Sequence, residues 1–96
     1  MDMNSPNNSA IDLTSTASEY SLVIGNGFRP VVGLQIQCRT ANNIRISFTA
    51  GGTANGEDYF TLKSGSVYYE DNLKYLGSIY IRPETNSTVA EVIWWQ

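Results

Sequence analysis

Between Val32 and Phe48 the chain alternates apolar and polar residues with a period of two, and the pattern breaks once. Val32, Leu34, Ile36 and Cys38 are separated by Gly33, Gln35 and Gln37; after Thr40-Ala41-Asn42-Asn43, Ile44, Ile46 and Phe48 are separated by Arg45 and Ser47. Successive side chains on a strand point to opposite faces, so each run has one apolar face and one wet face. Two such runs joined by a short Asn-containing link read as an antiparallel hairpin, because Asn tolerates the positive φ of a tight turn.

The rest of the chain repeats the theme in shorter pieces. Residues 19–24 place Tyr20, Leu22 and Ile24 on one side and end in Gly25-Asn26-Gly27. Further strands are expected at 59–62, 66–70, 77–82 and 89–95, separated by Lys63-Ser64-Gly65, Asp71-Asn72 and the loop PETNST. No stretch carries a helical period. Short strands at a spacing of roughly 8–12 residues predict a sandwich or small barrel, and 96 residues make one domain with a single core. The expected fold is therefore all-β, a small antiparallel β-sandwich over residues 19–96. Its predicted core is Leu34, Ile36, Cys38, Ile44, Ile46, Phe48, Ile79, Ile81, Val92 and Trp94. Residues 1–18 are polar apart from Met1, Met3, Pro6 and a few small or apolar residues, with Ile11 and Leu13 as anchors. They read as a flexible N-terminal arm that docks those two side chains on a neighbouring subunit or protein, with a weak edge strand at 10–18 as the other reading.

Composition removes several classes of function. The six basic residues form no run and the net charge is −3, so a groove that tracks phosphates is not expected. There is no His to serve as a general base or metal ligand. Cys38 is the single cysteine, on the apolar side of its strand, and reads as a small buried hydrophobe. Glu57-Asp58 and Glu70-Asp71 sit in or beside turns and read as solvated acids, not as a catalytic pair or calcium loop. The loop around Gly51, Gly52 and Gly56 lacks the Lys and the following helix of a phosphate loop. Asn86-Ser87-Thr88 and Asn7-Asn8-Ser9 match the glycosylation pattern by chance, since residues 1–18 have neither a basic start nor an apolar run. No catalytic residue, metal or cofactor is expected, nor a membrane span, and folding in a reducing cytosol is.

The aromatic residues point elsewhere. Tyr68-Tyr69 and Trp94-Trp95 are adjacent pairs, so one member of each looks away from the sandwich interior. On the last strand Val89, Glu91, Ile93 and Trp95 share one face, while Ala90, Val92 and Trp94 share the other. A strand apolar on both faces is covered on both, and in a chain this short the second cover is expected to be another molecule. Tyr69, Ile93 and Trp95 are thus predicted at an interface, with Ile11 and Leu13 of the arm. Tyr and Trp supply large rigid area at low entropy cost there; a platform that stacks sugar rings is the rival explanation.

Taken together, NIRISF, GGTANGEDYFTLKSGSVYYEDN, GSIYIRP and VAEVIWW resemble small virion structural proteins of tailed bacteriophages. The likeness covers residues 20–95. It rests on the Gly-rich loop at 51–56, the aromatic-then-turn run at 59–66, Tyr69-Glu70, and Glu91 followed four positions on by Trp95. The resemblance implies a sandwich of jelly-roll type without catalytic residues. It also implies many symmetric copies that bind the capsid exterior or the head–tail region, as capsid decoration (cement) proteins or neck and tail accessories do. The implied partners are copies of the chain itself and other virion proteins, with no nucleic acid or membrane. The implied location is the virion, after synthesis in the host bacterial cytoplasm. A carbohydrate-binding module using exposed Tyr and Trp is the alternative.

Overall fold

Leu34, Ile36, Ile44, Ile46, Ile79, Ile81, Ala90 and Val92 are all fully buried, and they come from strands on both sides of one interior. The computed structural model of the chain describes residues 6–25 and 29–96. Its strands are β1 (Pro6–Leu13), β2 (Tyr20–Ile24), β3 (Gly33–Cys38), β4 (Ile44–Ser47), β5 (Phe60–Leu62), β6 (Val67–Glu70), β7 (Gly77–Pro83) and β8 (Thr88–Trp95). They form two four-stranded antiparallel sheets: a front sheet in the order β1-β8-β3-β6 and a back sheet in the order β2-β7-β4-β5. The fold is an all-β sandwich.

Alternation explains why the sheets close on each other. In the front sheet Leu34 and Ile36 of β3 lie level with Trp94 and Val92 of β8 and point inward, while Gln35 and Gln37 lie level with Ile93 and Glu91 and point outward. In the back sheet Ile46 pairs with Ile81 and Leu22 with Ile79, inward, while Arg45 pairs with Arg82, outward. Each fully buried aliphatic side chain contributes about 1.5–3 kcal/mol relative to exposure.

The pairing is nested. β1 pairs with β8, β2 with β7, β3 with β6 and β4 with β5, all antiparallel, as if one long hairpin had been rolled up. Links 14–19, 39–43, 63–66 and 84–87 therefore meet at one end, where Asn86 Oδ1 accepts from Thr16 N (2.9 Å) and Asn43 Oδ1 from Ser64 N (2.8 Å). At the other end Val31 bridges to Tyr75, and the Tyr75 hydroxyl donates to the Ser78 carbonyl (2.6 Å).

Two expectations need correction. The runs at 32–38 and 44–48 are not a hairpin: β3 lies in the front sheet and β4 in the back sheet. Their alternation records which side of each strand is buried, and that is the same for strands lying beside each other or facing each other across the core. The second correction concerns the arm. Residues 6–13 form β1, paired with β8 along its length from Pro6 with Trp95 to Leu13 with Thr88. Leu13 is fully buried and Ile11 packs against the core, so neither is presented to a neighbour. Of the other arm residues, 14–18 form the link to β2, while 1–5 lie outside the described residues, as do Asn26 and Gly27 of the turn after β2. Cys38, Phe48 and Trp94 are half-buried and pack against the core.

Candidate functional site

The sandwich has two outer faces, and the chain treats them differently. On the back sheet, the loop at 48–59 folds down over β4 and β7. Glu19, just before β2, accepts from the Gly51 N–H (2.7 Å) and the Thr53 N–H (3.1 Å), and also from the Thr53 hydroxyl. Thr53 in turn accepts from Arg82 Nε at its hydroxyl (3.1 Å) and from Arg45 Nη1 at its carbonyl (3.2 Å). Thr53 is fully buried by these contacts. Gly52 must be glycine: a Cβ there would lie 2.8 Å from the Asp58 carbonyl and against the Ser47 hydroxyl. Burial by itself would raise the Glu19 pKa. The Thr53 hydroxyl, the Gly51 and Thr53 N–H groups and the Arg82 charge together outweigh that, and the carboxyl titrates below its ordinary value.

The front sheet carries no such cover among the described residues. Its outer face is built from Ala10 and Asp12 of β1, Val89, Glu91, Ile93 and Trp95 of β8, Gln35 and Gln37 of β3, and Val67 and Tyr69 of β6. Tyr69 is 57% exposed, Val67 51% and Val32, beside them, 37%. Trp95 lies across Gly33, where a Cβ would come within 2.8 Å of the indole. The missing side chain lets the ring settle on β3 and meet Tyr69 edge to face, with centroids 6.3 Å apart at 82°. A shallow groove of about 210 Å³ runs between them, lined by Val32, Gly33, Tyr69, Asp71 and Trp95.

The middle of this face is polar and fixed. Glu91 accepts from Gln37 Nε2 and from Arg39 Nε, each at 2.9 Å. The Gln37 amide first, and then the Arg39 guanidinium, hold the Glu91 carboxyl below its usual range against a smaller opposing effect of burial. A charge placed among Ile93, Val67 and Trp95 is thus neutralised within the chain.

Of the residues expected at an interface, Tyr69, Ile93 and Trp95 lie on this one face, and Ile11 and Leu13 turn inward. The adjacent aromatic pairs divide between the two sides of the sheet. Tyr68 packs on Phe60 across the sandwich at 5.1 Å, and burial, with the nearby Glu70 charge, raises its pKa; Tyr69 faces out. Glu57 and Asp58 are exposed in the 48–59 loop, and Glu70 Oε1 accepts from the Asn72 N–H (3.1 Å). The sequence reading missed Val32 and Val67 on the open face and the Glu19–Thr53–Arg82 chain on the back. Val67 was signalled by its place two residues before Tyr69. Val32 was not, because alternation puts it with the inward Leu34, although it lies just before β3 and is exposed. The last joins distant residues and leaves no local pattern. Compared with protein-family models, with curated proteins and with solved structures, the chain finds no match.

Proposed function

We propose that this chain is a non-enzymatic virion structural protein that docks on other virion proteins through the outer face of its front sheet and stabilises the assembled particle. One observation carries the reading: the back sheet is partly covered by the chain's own loop, while the front sheet leaves Tyr69, Trp95, Val67 and Ile93 together on an open surface. Tyr and Trp are enriched at protein interfaces, where they supply large rigid area. The nested strand pairing supports a jelly-roll description, an architecture of viral capsid domains as well as lectins. The likeness to small phage structural proteins supplies the kind of partner, a major capsid or neck protein or a further copy of the chain.

The test uses capsids from a phage deleted for this chain. Purified wild-type protein should bind them saturably and raise the temperature at which they release DNA. Absence of binding to capsids, necks and tails alike would overturn the reading. The groove between Trp95 and Tyr69, with Asp71 on its rim, favours a second reading as a carbohydrate-binding module. Saturable retention on a neutral glycan array, lost in Trp95→Ala, would select it.

A further inference from the structure

Arg45 of β4 and Arg82 of β7 are direct cross-strand partners on the outer face of the back sheet. Like charges set opposite each other on antiparallel strands are destabilising, yet both guanidinium groups are held in place. Arg45 donates through Nε to Glu84 Oε2 (3.2 Å) and through Nη1 to the Thr53 carbonyl (3.2 Å), and its guanidinium carbon sits 4.7 Å from the Tyr59 ring centre. Arg82 donates through Nε to Thr53 Oγ1 (3.1 Å) and through Nη1 to the Thr16 carbonyl (3.2 Å). Among the described residues neither Nη2 has a protein acceptor. Among the described residues no buried side-chain nitrogen or oxygen lacks a partner, so both Nη2 groups reach accessible surface. Both arginines line a cleft of about 500 Å³, together with Thr16, Asn55 and Glu84.

We propose that this cleft binds a carboxylate carried on a small hydroxylated frame, a ligand of the sugar-acid class. The unengaged N–H donors of the two Nη2 groups are what a carboxylate accepts, and a guanidinium fork matches its planar shape. Glu84 is the ion-pair partner of Arg45, and Arg82 has only the more distant Glu19 carboxylate, reached through Thr53, so a ligand carboxylate would be the one anion in direct contact with both arginines. The remaining wall selects the frame. Glu84 Oε1 accepts no hydrogen bond among the described residues and is available to a hydroxyl. Its charge disfavours a dianion such as phosphate. Asn55 and Thr16 add an amide and a hydroxyl at the cleft wall. The volume falls within the roughly 300–1,000 Å³ of small-ligand sites.

The experiment titrates isotope-labelled wild-type protein with glucuronate, glucose, acetate and phosphate, following backbone and arginine side-chain NMR signals. Glucuronate should give saturable shifts confined to the surroundings of Thr16, Arg45, Thr53, Asn55, Arg82 and Glu84. It should bind at least about tenfold tighter than each of the other three probes. Arg45→Lys and Arg82→Lys, which keep the charge and lose the fork, should each weaken it by about tenfold or more with the spectrum otherwise unchanged. The comparison of probes on wild-type protein stands even where a variant fails to fold. The proposal is overturned by no saturable glucuronate shift, by glucose, acetate or phosphate binding as tightly, by shifts centred on Tyr69 and Trp95, or by undiminished binding in both lysine variants.

Discussion

A single carboxylate, that of Glu19, ties the 48–59 loop to the sandwich, and its consequences are measurable. Thr53 is fully buried and gives both its N–H and its hydroxyl to Glu19. Glu19→Ala strands those donors and should cost about 1–3 kcal/mol in denaturant unfolding. The same residue sets a pH dependence. Its folded-state pKa lies below the ordinary 4.5, so the stabilisation is present well above that value and is lost as pH falls from there through the folded-state value. The melting temperature of Glu19→Gln should accordingly fall less than that of wild type between about pH 6 and about pH 3. Parallel curves would show that the carboxylate does not hold the loop. Glu91 is shifted in the same direction, so Glu91→Gln is the matching control and should keep the Glu19 contribution. At Gly52 the constraint is steric: Gly52→Ala drives a methyl toward the Asp58 carbonyl and Ser47, and should destabilise by about 1–3 kcal/mol.

At the scale of elements, β1 is the most informative strand. It supplies Leu13 to the core, so Leu13→Ala should cost about 2–5 kcal/mol. Deletion through residue 13 should abolish cooperative unfolding and not merely weaken assembly, because it removes Leu13 and exposes the edge of β8. A truncated chain with a wild-type melting temperature would return residues 6–13 to the status of an arm. The first half of this strand was illegible in the sequence because Asn7, Asn8 and Ser9 carry no apolar alternation; backbone pairing with β8 places them, while Ile11 and Leu13, which also fit a weak edge strand, mark the inner side. The inner and outer sides of β3, β4, β7 and β8 were legible, since burial on one side writes period two directly into the chain. Strand partners were not. Leu34 and Ile46 obey the same alternation although they belong to different sheets of one core. The cover on the back sheet depends on Glu19 meeting Thr53, a polar contact between distant residues that no window of sequence contains.

At the scale of the molecule, the two outer faces separate two roles. The back sheet keeps its loop close and offers the Arg45–Arg82 cleft, and the front sheet presents Tyr69, Val67, Ile93 and Trp95 around the Gln37–Glu91–Arg39 cluster. In the proposed function this front face docks on a virion. Tyr69 and Val67 are more than half exposed, on the edge strand β6, so Tyr69→Glu with Val67→Glu places two charges on the face without disturbing the core. The deciding measurement is the number of copies bound per particle, over a range of protein concentration, on capsids that lack the chain. Wild type should saturate at a fixed copy number, and the double variant, melting within a few degrees of wild type, should bind at least about a hundredfold more weakly. Equal binding by the two proteins would contradict the account, because the face would then play no part in assembly.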